Sequence, residues 1–250
     1  RAGARASLGT GSRRRVLQLA PSGSLLSDSS LSHMFDAIRT ELGDDGGSFA
    51  DAASRVQGDA AWTAMEQAVL DDVPVLILAT SFALVHLLEQ STHRAPLTLP
   101  AGSAVVDTGG YKGRSRELDR EELVSWIGDR LGIPSAWCEN EYGMSELSTQ
   151  AWLGTIAAAD HEPLSEARPD GGVRWQPPWM RTRVVDPVSL DEVEDGQTGL
   201  LVHHDLANVW SCACVRTEDI GMRIGSSYVM LGRMPGAELK GCSLRVEDVL

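Results

Sequence analysis

Within Tyr142-Gly143-Met144-Ser145-Glu146 an aromatic ring, a glycine, a hydroxyl and a carboxylate follow one another in five residues. A ring can stack on a base, a hydroxyl can donate to a phosphate oxygen, and a carboxylate can hold a hard cation that bridges phosphates. With Glu139-Asn140-Glu141 in front of it, the stretch suits a site for a base, a phosphate and a metal; Glu139 and Glu141 themselves read as surface or packing residues. Two other segments can join it. Asp107-Thr108-Gly109-Gly110-Tyr111-Lys112-Gly113 is a glycine-rich turn that follows an apolar run. Ser7-Leu8-Gly9-Thr10-Gly11-Ser12 combines small residues with hydroxyls, so its backbone N–H groups can surround an anion. A polar tail has the same composition, and both readings stand. Arg13-Arg14-Arg15 comes next and reads either as a solvated loop or as cations beside a polyphosphate.

Composition removes several classes of function. A formal net charge of −13 over 250 residues argues against nucleic-acid binding, which needs cationic surface to neutralise phosphates. No apolar run approaches the roughly 18 residues that a membrane span needs, and the start of the chain lacks a secretory leader pattern. The expectation is a cytoplasmic protein without a membrane or nucleic-acid partner. Cys138, Cys212, Cys214 and Cys242 are too few and too scattered for a disulfide framework, and Cys212-Ala213-Cys214 lacks the spacing of a zinc pair.

The elements that must position these residues follow from periodicity. A serine-rich loop over 21–32 leads into a helix from Leu31 to Leu42, closed by Gly43, and Asp44-Asp45-Gly46-Gly47 reads as a turn. Trp62, Met65 and Val69 recur at helical spacing as a core stripe. Val73 to Leu78 and Ala104-Val105-Val106 are continuous apolar runs, as strands buried on both faces require. Between them Phe82, Val85 and Leu88 mark a helix on which His86 is a core or boundary histidine. Asp119-Arg120-Glu121-Glu122 has the spacing of a capping box and opens a helix carrying Leu123, Trp126, Ile127 and Leu131, ended by Gly132. A strand then leads into Tyr142. This alternation predicts an α/β fold, with a parallel-rich sheet and flanking helices over 1–175. Ligands on such sheets lie beyond the carboxyl ends of the strands, where Gly109-Gly110 and Tyr142 to Glu146 would meet. Beyond the rigid Trp175-Gln176-Pro177-Pro178-Trp179 loop, short strands around Arg183 to Asp186, Gly199 to His204 and Tyr228 to Leu231 predict a smaller β-rich subdomain over 176–235.

The order of these motifs resembles that of the adenylate-forming superfamily of acyl- and aryl-activating ligases. Tyr142-Gly143-Met144-Ser145-Glu146 is similar to its Y-G-x-[ST]-E motif, and Arg216-Thr217-Glu218-Asp219 to its R-T-G-D motif with Glu218 in place of glycine. Gly232-Arg233 and Lys240-Gly241-Cys242-Ser243 resemble the hinge that precedes the small C-terminal domain, so 236–250 would begin that domain. Thr108-Gly109-Gly110-Tyr111-Lys112 and Glu238-Leu239-Lys240-Gly241-Cys242-Ser243 bring the chain nearest the acyl-protein synthetases of bacterial luminescence (the LuxE type), relatives of phenylacetate–CoA ligases.

That resemblance implies the fold of the superfamily's N-terminal domain and a role for each matching residue. Tyr142 would stack on adenine, Gly109 and Gly110 would let backbone approach it, and Asp219 with Arg233 would bind the ribose. Gly143 and Ser145 would face the α-phosphate, Thr10 and Gly11 would belong to a shortened phosphate loop, and Glu146 would hold Mg²⁺. ATP would activate a fatty or aromatic carboxylic acid as an acyl-adenylate. The acceptor would be CoA, a carrier protein, an amine, an acyl reductase partner or the chain's own Cys242, with Lys240 lowering its pKa. The shortened phosphate loop keeps a different class of function open, a non-catalytic homologue that binds a nucleotide or a partner protein.

Overall fold

The computed structural model describes residues 14–109, 118–156 and 172–236, apart from the side chains of Asp44 and Asp45. Over the first part, strands β1 (Arg14–Gln18), β2 (Gly43–Ser48), β3 (Val75–Thr80), β4 (Ala104–Thr108), β5 (Cys138–Tyr142) and β6 (Ala151–Trp152) form one sheet in the order β2-β1-β3-β4-β5-β6. The first five are parallel, and β6 runs antiparallel to β5. Helices α1 (Ser30–Leu42), α2 (Gly58–Leu70), α3 (Ser81–Gln90) and α4 (Arg120–Leu131) make the connections.

Alternate residues of the central strands feed two cores. Leu17, Val75, Ile77 and Val105 meet Trp62 and Met65 of α2, Leu84 of α3 and Ile127 of α4 on one face. Val16, Leu76, Leu78 and Val106 meet Phe35 and Ile38 of α1 on the other. Burial on both faces is why these strands read as unbroken apolar runs. Helix α4 is capped as its sequence predicts: Asp119 accepts from the Glu122 backbone at 2.7 Å, Glu122 accepts from the Asp119 backbone at 3.2 Å, and Gly132 closes the helix in the left-handed region.

Three local expectations are corrected. Residues 43–48 are the edge strand β2 rather than a turn. A Cβ on Gly43 or Gly46 would strike the β1 main chain around Arg14 and Val16, so the glycines admit a close pairing carried by backbone alone. Val69 lies outside the core, and the α2 stripe runs instead through Ala61, Trp62, Met65 and Ala68. Arg14 and Arg15 belong to β1 at the amino end of the sheet, away from Tyr142. Arg14 is buried and donates to the Gly102 carbonyl at 2.8 Å, and Arg15 pairs with Asp71 at 2.8 Å. They are neither a solvated loop nor neighbours of a phosphate beside Tyr142; Arg13 falls outside the described residues.

The second part is an antiparallel sheet of β7 (Val173–Arg174), β8 (Met180–Val185), β9 (Thr198–Asp205), β10 (Cys214–Ile224) and β11 (Ser227–Arg233), in the order β7-β11-β10-β9-β8. A parallel-rich α/β layer joined to a separate antiparallel sheet is the architecture the sequence predicts. Among the described residues no helix is long and apolar enough to cross a membrane.

Candidate nucleotide site at the seam of the two sheets

Tyr142 ends β5 and is register partner to Ala151 of β6, so its ring leaves the first sheet at the carboxyl end of the parallel strands. Its hydroxyl crosses to the second sheet, donating to Asp219 Oδ2 at 2.7 Å and lying 3.1 Å from His203 Nε2. Asp219 is aimed there by irregular pairing. The β9 ladder shifts register between Arg216 and Ile220, the β11 ladder shifts between Ile220 and Gly221, and the Asp219 backbone donates to Thr217 Oγ1 at 3.0 Å. Such bulges re-aim a side chain without ending a strand. Across the ladder, Arg233 is register partner to Asp219, and its Nε lies 3.1 Å from Asp219 Oδ1.

His203 sits fully buried after the apolar Leu200-Leu201-Val202 run of β9, its Nδ1 2.8 Å from Thr182 Oγ1. Thr182 donates to Gln176 at 2.7 Å, so its oxygen accepts from Nδ1 and leaves Nε2 as an acceptor facing Tyr142. The single Tyr142 proton therefore has two acceptors, and the nearer, charged carboxylate takes it. Burial pushes the His203 pKa down to about 4, which keeps the ring neutral. Burial first, and then the charge of Asp219, push the Tyr142 pKa well up, so that hydroxyl remains a donor.

Below Tyr142 lies a buried polar layer. Thr108 and Glu141 are register partners at the ends of β4 and β5, and the Thr108 hydroxyl donates to the Glu141 carboxylate. Burial raises Glu141 to about 7 against the opposing effects of the Thr108 hydrogen bond and the Arg174 charge. Arg174, from β7 of the other sheet, donates to the Asn140 carbonyl at 2.7 Å and to the Asn140 side chain, and it lies over the Tyr142 ring. Asn140 in turn donates to Asp107 Oδ2 at 2.9 Å, while Arg120 of α4 pairs with Asp107. Glu139 is fully buried and accepts from the Gly154 backbone at 3.0 Å. Glu139 and Glu141 are thus interior groups, and the surface reading of them is corrected. In a parallel strand buried on both faces, alternation does not lead to solvent. Gly143 follows because a Cβ there would strike the Glu141 carboxylate.

Ser145 and Glu146 are exposed at the middle of a turn closed by the Leu147 backbone donating to Met144 at 3.1 Å. The second sheet holds this turn from beneath. Buried Asp205, ending β9, accepts from the Ser148 backbone at 2.9 Å and from Thr149 Oγ1 at 2.8 Å. Asn208 donates to the Glu146 carbonyl at 2.7 Å.

Asp219 therefore touches both Tyr142 and Arg233, with Gly143, Ser145 and Glu146 on the loop that leaves Tyr142. Gly109 lies at the neighbouring strand end, exposed, with φ +75 and its carbonyl accepting from Ser81 at 3.1 Å. Thr10, Gly11, Gly110, Lys240 and Cys242 lie outside the described residues. Arg174, His203, Asp205 and Asn208 escape the motif reading. The signal for His203 and Asp205 is polar residues closing an apolar strand; Arg174 and Asn208 carry none.

No family model matches the chain. In sequence it is similar to the long-chain-fatty-acid–luciferin-component ligase of Vibrio harveyi, at 26% identity over 152 residues that make up 58% of this chain and 36% of that protein. The ligase of the same name from Aliivibrio fischeri is 31% identical over 83 residues, 30% of this chain and 22% of its own. In fold it is similar to the amide bond synthetase McbA from Marinactinospora thermotolerans, with a TM-score of 0.58 at 20% identity over 93% of this chain and 43% of that one. ATP-bound MatB from Rhodopseudomonas palustris gives a TM-score of 0.58 at 15% identity over 93% of this chain and 42% of that one. The fold is that of adenylate-forming enzymes, and the LuxE-type resemblance of the motifs is borne out. The chain spans less than half the length of these proteins.

Proposed function

We propose that this chain carries the nucleotide-binding part of an enzyme that activates a carboxylic acid with ATP. The observation that most supports this is the meeting of Tyr142, Asp219 and Arg233 beside the exposed Ser145–Glu146 turn. A carboxylate oxygen of the acid attacks the α-phosphorus, the bond to the pyrophosphate oxygen breaks, and acyl-adenylate and pyrophosphate result. Tyr142 offers a ring face to adenine, with Gly109 at the adjacent strand end and Gly110 next to it in sequence. Asp219 accepts from the ribose hydroxyls. When it does, the Tyr142 proton can pass to His203, 3.1 Å away, so ribose binding strands no buried donor. Arg233 holds Asp219 in place, and Ser145 donates to the α-phosphate with Gly143 giving backbone access. Thr10 and Gly11 would approach the outer phosphates.

The residues fit Mg²⁺. Glu146 offers an exposed carboxylate on a turn, and this ion is commonly held by one or two carboxylates together with substrate phosphates. Bound there, it would neutralise phosphate charge. The names of the curated relatives support a long-chain fatty acid over an aromatic one. In the second half-reaction a thiolate or amine attacks the acyl carbonyl carbon and AMP leaves. Cys242, beside Lys240, is the acceptor within this chain; CoA, a carrier protein, an external amine or an acyl reductase are the others.

The test is ATP binding by calorimetry, followed by ATP–pyrophosphate exchange across fatty and aromatic acids. Glu146→Ala should lower exchange by about 10²–10³-fold, the loss typical of removing one electrostatic stabiliser. The unfolding midpoint should not move, because the side chain is exposed. Absence of nucleotide binding, or undiminished exchange in the variant, defeats the proposal. Cys242→Ser should abolish self-acylation while exchange persists.

A further inference from the structure

Away from the seam, three guanidinium groups of the second sheet share a single carboxylate. Arg181 Nη2 lies 3.3 and 3.2 Å from the two oxygens of Glu192, Arg183 Nε lies 3.2 Å from one of them, and Arg223 Nη1 lies 3.4 Å from the other. A fully engaged charge-assisted N–H···O bond runs at about 2.7–2.9 Å. All of these contacts are longer, so Glu192 is spread over more positive charge than it can satisfy. Asp195 accepts from the Gly225 backbone at the edge of this group, and Arg223 donates in addition to the Val193 carbonyl at 2.8 Å and to the Gly225 carbonyl at 3.3 Å.

A cleft of about 240 Å³ opens where β8 faces the turn between β10 and β11. Arg181 and Arg223 line it with Thr182, Ser226 and Ser227, and Glu192 forms part of its wall. The volume lies below the roughly 300–1,000 Å³ of pockets that enclose a drug-sized ligand, so it suits one small anion or one end of a larger one. The donors select further. Guanidinium forks match carboxylate and phosphate oxygens alike, but the lining comes from β8, from β10 and from the turn into β11, so a tetrahedral group with oxygens on several sides can meet more of it than a planar carboxylate.

We propose that this cleft is a second anion site, which takes a phosphate group either as inorganic phosphate or as the terminal group of a phosphomonoester. It shares Thr182 with the hydrogen-bond network behind Tyr142 but no residue proposed to touch the nucleotide, and it does not depend on the reaction proposed above.

The test is calorimetric titration with inorganic phosphate and with glycerol phosphate, at ionic strength held constant with sodium chloride. Saturable binding is expected in the parent protein and in Glu146→Ala, which alters only the nucleotide site. Arg181→Gln should weaken it by roughly tenfold, the loss of one charge-assisted hydrogen bond. Its side chain is 67% exposed, so the variant should fold. Glu192→Gln should tighten binding by removing the competing carboxylate. Tighter binding of glycerol phosphate supports an ester site, and tighter binding of inorganic phosphate supports a free-anion site. Lack of saturable binding by either probe, equal affinity in Arg181→Gln, or loss of binding in Glu146→Ala overturns the proposal.

Discussion

Replacing Glu141 with glutamine should change how stability depends on pH, and two buried groups of opposite sign set the size of the change. Burial raises Glu141 from its ordinary 4.5 to about 7. A folded-state pKa above the unfolded value means that the folded chain holds its proton more tightly. The contribution is therefore full below pH 4.5 and is lost as pH rises through 7. At about 1.4 kcal/mol per pH unit of displacement, the loss is roughly 3 kcal/mol. Burial lowers His203 from 6.5 to about 4. Its contribution has the reverse sign, being full above pH 6.5 and lost as pH falls through 4, also by roughly 3 kcal/mol. Between pH 4.5 and 6.5 the two slopes oppose each other, so in the parent protein they nearly cancel. In Glu141→Gln the His203 slope is left without its opponent, and stability should rise by about 2 kcal/mol across that window relative to the parent. Glu139, also raised by burial, acts equally in both proteins and drops out of the difference. Urea unfolding of both proteins at half-unit steps from pH 4.5 to 8 reads the effect directly. Parallel profiles would falsify the assignment of Glu141 as a buried group titrating near neutrality.

Three further outcomes follow from the same geometry. Tyr142→Phe removes the donor to Asp219 and should cost about 1–2 kcal/mol in urea unfolding; an unchanged midpoint would mean that this contact contributes nothing across the seam. Gly143→Ala drives a methyl group into the Glu141 carboxylate, at a cost of about 1–3 kcal/mol; an unchanged midpoint would mean the loop yields freely. Asp205→Asn keeps the shape but weakens acceptance from Ser148 and Thr149, and should loosen the Ser145–Glu146 turn. Slower backbone-amide protection loss at 147–149 than in the parent would contradict this, whereas faster exchange with a lowered turnover is expected.

The first sheet was legible because its strands are buried on both faces. Ile77 and Val105 have no solvent side, so no polar alternation interrupts the run. Helix α4 announced itself through Asp119, Glu122 and Gly132, which act locally and leave their mark in sequence. β2 did not, since glycine and aspartate predict turns, and only proximity to β1 makes main-chain pairing the better outcome. The same division runs through the candidate site. Tyr142, Gly143, Ser145 and Glu146 are consecutive or nearly so, and a short motif displays them. Arg174, His203 and Asp205 come from another sheet, and only the fold brings them to Tyr142 and to the loop that leaves it. Glu141 shows the limit most clearly, because its identity says nothing of whether it faces water or Arg174.

The seam between the sheets explains why the polar layer matters. The apolar cluster shared across it is small, with Ala151, Val184, Leu201 and Tyr228 fully buried and Tyr142 packed against them, whereas each face of the first sheet has a much larger core. Orientation across the seam therefore depends on directional contacts: Arg174 to Asn140, Tyr142 to Asp219, and Asp205 to the Ser148–Thr149 backbone and hydroxyl. Hydrogen bonds fix angle and distance where apolar burial fixes neither. Each of these contacts touches Tyr142 or the loop leaving it. A nucleotide that engages Asp219 thus acts on the same contacts that align the sheets, and a proton on Glu141 acts on the layer immediately below. Nucleotide affinity should accordingly respond to pH around 7 in the parent protein and respond less in Glu141→Gln, which separates a titrating seam from titration of the nucleotide itself.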